Sequence, residues 1–523
     1  MRSWSARVAA VLLVVAALAL IRPGHGWMTG AGLPALDRIP LAVVLLVLAH
    51  GLAGRRRLAL QVTLVLATIA LLVPPVHPLH LGRLVLPAVI AVLLLPDRDS
   101  FVVRPDPQRL RTASAAATVA LGVALGRGFW EAARHGAPVR QAAYAALPVA
   151  PAAPDRSTRV FVVVVLASVV IALAVALASA PAPPPSGEAD RARVRYLVQD
   201  PRAGSLAPFV TRADRTYVFS PGGDAAIGYR VRFGVALAGG DPVGPAPAAA
   251  IGAFAGLCAE HGWRPAVLGA DAAATGDLWS RAGVRRAVEI GDEAVLDVGA
   301  FSLDTRRMRN VRQAARRADN AGVRVQIGPL DPLLVPRLDP VLRDWLRGRG
   351  ERGFAMNLDA ILTPRADTVY AVALGPAGHP VAFARFAVAG GGRILTLDVA
   401  PRHRDAPNGV VERMIVAVVD HARSRGATEV TLNFAGMRRI YAGETRAARL
   451  LQVPLHVLDR WIDLRPLYLF TDKFHPRWRP RQLRMRSWWE VVPVAAAALT
   501  AEFSTRPTPS PIPPELTEAP ATS

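Results

Sequence analysis

Hydrophobic positions in this chain are of two kinds, and they change over near residue 181. Before it lie long unbroken apolar runs at Val8–Ile21, Ile39–Ala53, Leu58–Val73, Leu84–Leu95, Ala115–Leu125 and Val160–Ala180. After it the apolar residues come in short β-rich runs and helical stripes. A membrane span needs roughly 20 apolar residues; with their Gly, Ala, Trp and Pro flanks the early runs predict about six transmembrane helices over 1–181. The first run is also compatible with a signal peptide, but no small-x-small cleavage site follows it, so a retained helix is expected.

The later pattern predicts a repeat. Thr216–Phe219, Ala225–Val231 and Gly234–Ala238 read as short strands, Pro247–His261 as a helix and Pro265–Leu268 as another strand. The same order returns as Thr368–Leu374, Val381–Val388 and Ile394–Val399, joined by GPAGHP and AGGGR, then a helix over Val410–Arg425 and a strand over Glu429–Phe434. In that helix Val410, Val411, Met414, Ile415, Val418 and Val419 share one face. Three antiparallel strands, a helix and a strand is the core order of an acetyltransferase-like (GNAT) lobe, so the expected fold is an N-terminal multispan α-helical membrane region followed by an α/β (α+β) tandem GNAT-like domain. The expected boundaries are 1–181 for the membrane region, 182–194 for a Pro-rich linker, 195–322 and 323–490 for the two lobes, and 503–523 for a Pro/Thr-rich disordered tail.

Charge sharpens this division. The chain of 523 residues carries a net charge of +22 with 52% hydrophobic residues, and the two biases are segregated. Arg2 and Arg7, then Arg55–Arg57, then Arg98, Arg104, Arg109 and Arg111 fall at alternate loops. By the positive-inside rule six spans place both termini and the C-terminal domain in the cytosol, at the plasma membrane. An odd number of spans would reverse that. Cys258 is the sole cysteine, which excludes an intramolecular disulfide framework and a Cys-rich metal site.

Candidate chemistry concentrates in a few runs. FSLDTRRMRNVRQAARRAD, from Phe301, sets Arg309, Arg312 and Arg316 on one helical face beside Arg306, Arg307 and Arg317. Such a stripe suits the phosphates of RNA or of anionic lipid, or is simply a solvated basic helix. Asn408–Gly409 opens the helix at Val410, where backbone N–H groups can hold an anion. The preceding RHRDAPNG lacks the glycines of a pyrophosphate loop, which argues against coenzyme A, and no ATP loop is found. His403, His421 and His475 have no metal-ligand spacing, so neither metal nor cofactor is expected.

Together with GGDPVGP (Gly239–Pro245), ERGF (Glu351–Phe354), LTLDV (Leu395–Val399), DAPNGVVE (Asp405–Glu412), TLNF (Thr431–Phe434) and LYLFTDKFHPRWRP (Leu467–Pro480), the basic run resembles the aminoacyl-phosphatidylglycerol synthases, also called the multiple peptide resistance factor family. The resemblance covers about Tyr196 to Arg484 and is closest to the actinobacterial form without a tRNA synthetase module. It implies transfer of a lysyl or alanyl group from aminoacyl-tRNA to phosphatidylglycerol, with the membrane as a third partner and a separate flippase where the product is to reach the outer leaflet. It further implies Asp398, Glu412 and Lys473 as catalytic residues, and Arg309, Arg312, Arg316, Arg402, Asn408, Gly409 and Arg479 as substrate-binding ones.

Two departures from the family pattern keep other functions open. Asp398 is followed by Val399, Ala400 and Pro401 before Arg402, where the family has Asp-Leu-Met-Arg; Arg479 stands between Trp478 and Pro480, where the family has glutamate. The alternatives are a non-catalytic relative that binds anionic lipid or tRNA, and a transferase with another acceptor.

Overall fold

The computed structural model describes residues 4–21, 35–72, 82–134, 156–347, 357–436 and 464–503. The chain forms two compact units, one of residues 1–181 with 257–263 and one of residues 182–256 with 264–523. The ERGF motif and the tail from Ser504 lie outside the described residues.

Among the described residues of 1–181 there are six α-helices: α1 (Trp4–Ile21), α2 (Ala35–Ala53), α3 (Arg57–Leu72), α4 (Gly82–Leu94), α5 (Pro107–Arg134) and α6 (Arg156–Ala176). Small residues let them approach closely. Ala6, Ala9 and Ala10 of α1 pack into one cluster with Leu48, Ala49 and Leu52 of α2 and Ala59 and Leu60 of α3. A Cβ on Gly51 would stand 2.6 Å from that of Ala59, so α2 and α3 meet where a side chain is missing. The outward faces are apolar as well, with Val11, Val15, Leu18, Leu72, Val85 and Val92 exposed. Among the described residues, by length and composition α1 alone meets the requirement for crossing a membrane; Leu41–Ala53, Arg57–Leu72, Leu84–Leu94 and Ala167–Ala176 are apolar but shorter.

In the second unit, residues 182–187 precede a helix, α7 (Glu188–Val198), that begins inside the segment read from sequence as a linker. There follow strands β1 (Thr216–Phe219), β2 (Ala226–Arg232) and β3 (Val235–Gly239), helix α8 (Pro247–His261), β4 (Arg264–Asp271), α9 (Ala272–Arg281) and β5 (Arg286–Asp297). Helix α10 (Arg309–Asn320), β6 (Arg324–Gly328) and α11 (Val335–Leu346) lead to the second repeat. That repeat is β7 (Thr368–Leu374), β8 (Pro380–Ala389), β9 (Ile394–Val399), α12 (Val410–Ser424), β10 (Glu429–Gly436), α13 (Leu464–Asp472) and β11 (Arg477–Met485), closed by α14 (Val491–Phe503). Each repeat is an antiparallel meander, a helix and a strand parallel to the meander's last: β4 runs parallel to β3 and β10 to β9. This is the acetyltransferase-like order expected from the sequence.

The repeats do not form two separate sheets. Strand order is β1-β2-β3-β4-β11-β5-β10-β9-β8-β7-β6. The last strand of the second repeat, β11, inserts beside β4, while the last strand of the first, β5, pairs with β10. β5 and β11 pair with each other in the middle. Each repeat thus completes the other's sheet, and neither β4 nor β10 is left with an open edge.

Candidate active site

The second repeat shapes a cavity of about 580 Å³ between the end of β9 and the start of α12. Its apolar wall includes Leu397, Leu432, Trp345 and Phe470; its polar wall is Asn357, Asp398, Arg402, Asn408, Glu412 and Lys473. Of the residues singled out in the sequence, Asp398, Arg402, Asn408, Gly409, Glu412 and Lys473 therefore come together here.

Asp398 is 2% exposed, and its carboxylate is held from both sides. Arg385 Nε donates to Oδ2 at 2.5 Å, while the Leu358 N–H and Asn357 Nδ2 donate to Oδ1 at 3.0 and 3.2 Å. Arg385 also donates from Nη1 to the carbonyls of Asp359, Ala360 and Ile361. Burial alone would lower the arginine's pKa, but Asp398 beside it outweighs this and raises it, so the guanidinium stays charged. The pair stitches segment 357–361 to β8 and β9 and so builds one wall of the cavity. Arg385 belongs to none of the sequence motifs, although an arginine inside the apolar strand VAFARFAV is itself a signal: a charge buried there requires a partner.

Glu412 and Lys473 face each other across the cavity wall, with Nζ 2.5 Å from Oε1. The side chains are 13% and 26% exposed, so the pair is reachable from the cavity. Lys473 also sits 4.1 Å from the Phe470 ring centroid, a cation–π contact that helps to hold the ammonium in place. Glu412 lies in the first turn of α12, where the helix dipole favours a negative charge.

Gly409 caps α12 for a packing reason. Its φ is +93°, and an added Cβ would lie 2.0 Å from the Ala314 carbonyl oxygen of α10. Only glycine permits α10 and α12 to touch at this point. The contact is continued by Val311 and Ala318 of α10 against Val410, Met414 and Val418 of α12 in one core, and by an ion pair from Arg413 Nε to Asp319 Oδ1 at 2.6 Å.

Pro401 does not displace Arg402 from the site. The Pro401 carbonyl accepts from the Phe383 N–H at 2.9 Å and the His403 N–H donates to the Val381 carbonyl at 2.9 Å, continuing the antiparallel pairing of β9 along β8 and leaving Arg402 exposed on the cavity wall.

The remaining predicted residues lie elsewhere. Arg309 and Arg316 are exposed on α10, and Arg312 is half-buried, donating to the carbonyls of Leu303 and Thr305. This basic element adjoins the cavity in two ways: α10 packs on α12, and His475 Nε2 hydrogen-bonds the Arg307 carbonyl at 3.1 Å, two residues from Lys473. Arg479 does not line this cavity. It donates to Glu429 at 2.8 Å and lies 3.7 Å from Glu293 and 3.9 Å from Asp271. Its neighbour Arg481 is buried against Glu293 at 2.6 Å, with Asp241 and Asp271 close by. The charge that departs from the family pattern is thus neutralised inside the sheet.

Residues 195–484 match the family model described as phosphatidylglycerol lysyltransferase, C-terminal. The chain is 36% identical over 330 residues to the MprF-like domain protein Rv1619 of Mycobacterium tuberculosis, covering 61% of this chain and 68% of the relative. It is 35% identical over 309 residues to the lysylphosphatidylglycerol biosynthesis bifunctional protein LysX of Mycobacterium tuberculosis, covering 57% of this chain but only 26% of that one. Among solved structures, a DUF2156 C-terminal domain from Agrobacterium fabrum superposes with a TM-score of 0.53 at 23% identity, covering 62% of this chain and 99% of that one. The L-PGS structure from Bacillus licheniformis gives 0.50 at 18%, covering 59% and 95%. The two structures agree in fold, and the sequence matches go further: the chain belongs to the phosphatidylglycerol lysyltransferase (MprF/LysX) family.

Proposed function

We propose that the protein transfers an aminoacyl group, lysyl or alanyl, from aminoacyl-tRNA to the glycerol headgroup of phosphatidylglycerol. The observation that carries this reading is the juxtaposition of the Glu412–Lys473 cavity with the arginine-bearing helix α10, both braced on α12. The cavity supplies chemistry for an ester, and the basic helix supplies a surface for a polyanion.

The reaction is a transesterification. The glycerol hydroxyl oxygen attacks the aminoacyl carbonyl, the bond to the terminal ribose of the tRNA breaks, and the hydroxyl proton ends on the ribose oxygen. Glu412 accepts that proton and returns it to the leaving oxygen. Lys473 stabilises the oxyanion of the tetrahedral intermediate, helped by the positive end of α12. Asp398, with both oxygens held, positions the wall that orients the donor. Arg402 and Asn408 bind at the mouth, and Arg309, Arg312 and Arg316 hold the phosphates of the tRNA.

The first unit serves as the membrane anchor in this reading, with about six spans across the bilayer. Helices apolar on both inner and outer faces suit lipid surroundings. The charged loops also group as the orientation requires: the Arg57 N–H donates to the Val103 carbonyl at 3.0 Å and the Val103 N–H to the Arg55 carbonyl at 3.2 Å. The loops after α2 and α4 thus lie at one end of the bundle, the cytosolic one by the charge rule.

The test is expression of the full chain in cells that lack aminoacylated lipids, with extraction of ninhydrin-positive phospholipids. A new lipid that disappears in Lys473→Met supports the reading. Its absence from cells that make the folded protein overturns it.

A further inference from the structure

The most exposed large apolar side chain among the described residues is Trp489, at 94%. It follows Trp488, 51% exposed, and precedes Val491 and Val492, 36% and 75% exposed. Indoles are seldom left in water, because each carries a large apolar area. Here they cannot fold back. Glu490, next in the chain, is buried and accepts from the Arg486 N–H at 3.2 Å, from Nε at 3.2 Å and from Nη2 at 2.8 Å. On the other side α14 is fixed by Val494, Ala497, Ala498 and Ala501, which pack with Leu483 and Met485 of β11. The turn is therefore rigid, with its carboxylate inside and its indoles outside.

Cations border the indoles. The Arg286 guanidinium lies 5.8 Å from the Trp488 ring centroid, and Arg286 pairs in register with Met485 at the end of β11. Arg285, next to it in sequence, is exposed as well; Arg486 is paired with Glu490, and Glu289 is a carboxylate on that end of β5. Rigid tryptophans rimmed by arginines match the headgroup layer of an anionic bilayer, where an indole has both an apolar and a polar neighbour and arginine meets lipid phosphate.

We propose that the Trp488–Val492 turn inserts into the interface of an anionic membrane and docks the second unit on it. This goes beyond the transferase reading and does not depend on it, since the site lies on β11 and α14, away from the Glu412–Lys473 cavity.

The test uses the full chain carrying Trp489→Cys, labelled with an environment-sensitive fluorophore; the native Cys258 is buried. Leu333→Cys, at a position 82% exposed, is the control. Both are reconstituted into phosphatidylcholine vesicles with and without phosphatidylglycerol, with brominated lipid as quencher. The expected result is a blue shift and quenching at position 489 that grow with phosphatidylglycerol, shrink in Arg285→Gln/Arg286→Gln, and are absent at position 333. A probe at 489 that stays in water, that is quenched equally at 333, or that ignores phosphatidylglycerol overturns the proposal. So does a blue shift that follows protein concentration without lipid quenching, which would mark a second copy as the occupant.

Discussion

Arg385 and Asp398 form an ion pair in which neither side chain has any exposure, and that pair supports one wall of the candidate active site. Removing one partner leaves the other charged and buried without compensation, which costs about 3–5 kcal/mol. Arg385→Met is therefore expected to lower thermal stability sharply, as is Asp398→Leu. The double variant Arg385→Met/Asp398→Leu should recover much of the loss, because a dry apolar pair replaces a dry ionic one. It should not recover product formation, since segment 357–361 has lost the guanidinium that holds its carbonyls. Melting curves and lipid analysis on the three variants separate the contributions.

Gly409→Ala makes a second case. A residue with a Cβ at φ +93° is strained by about 1–3 kcal/mol, and the contact with Ala314 forces α10 and α12 apart in addition. The expected outcome is a lower melting temperature and, under the proposed reaction, weaker use of aminoacyl-tRNA, because the same movement shifts Glu412 relative to the basic helix. Asn408→Ala, at an exposed neighbouring position, should leave the melting temperature unchanged.

Much of the second unit was legible in the sequence, and the exceptions have one cause. The meander strands and the helices Pro247–His261 and Val410–Ser424 follow apolar periodicity, which survives because each helix buries one face: Ala250, Ile251, Phe254 and Cys258 on the first, Val410, Met414, Ile415, Val418 and Val419 on the second. β5 and β11 were not read as strands. They carry Glu289, Asp292 and Glu293 on one and Arg477, Arg479, Arg481 and Arg484 on the other, which suggests a polar surface segment. In the structure these strands lie side by side at the centre of the sheet, and their charges pair there: Arg481 and Arg479 with Glu293 across the two strands, and Arg479 also with Glu429 of β10. Pairing across residues nearly 200 positions apart leaves no local signature. The same holds for the site, where Glu412 and Lys473 were reached through family resemblance but Arg385 was not.

This central charge cluster has a pH signature. Burial pushes Glu293 up, but Arg481 and Arg479 outweigh it and hold the carboxyl below its ordinary value of 4.5. The unfolded chain therefore takes up this proton at a higher pH than the folded chain does. The stability contributed is full above 4.5 and is lost as pH falls through the depressed folded value. Asp241 works the other way: burial raises its pKa above 3.8, so its contribution is best at low pH and declines as pH rises through that raised value. Glu293→Gln should lower the melting temperature at neutral pH and flatten its fall below pH 4.5, whereas Asp241→Asn should cost less at neutral pH. A melting series across the acid range checks both signs.

The basic helix gives a prediction that distinguishes donor binding from catalysis. Arg309, Arg316 and Arg317 are exposed, while Val311, Ala314, Ala315 and Ala318 anchor the opposite face of α10. Replacing the three arginines by glutamine should therefore leave the fold intact. If they contact phosphates of the tRNA, each lost contact removes about 0.7–0.9 from the slope of log affinity against log salt. The triple variant should show a slope shallower by about 2–3 and a raised KM for aminoacyl-tRNA, with kcat at saturating donor little changed. Lys473→Met should do the reverse: with its oxyanion contact gone, kcat falls by about two to three orders of magnitude while the salt slope stays as in the native chain. Steady-state rates at several salt concentrations, with the donor varied, resolve the two. A triple variant with an unaltered salt slope would show that the donor enters over another face.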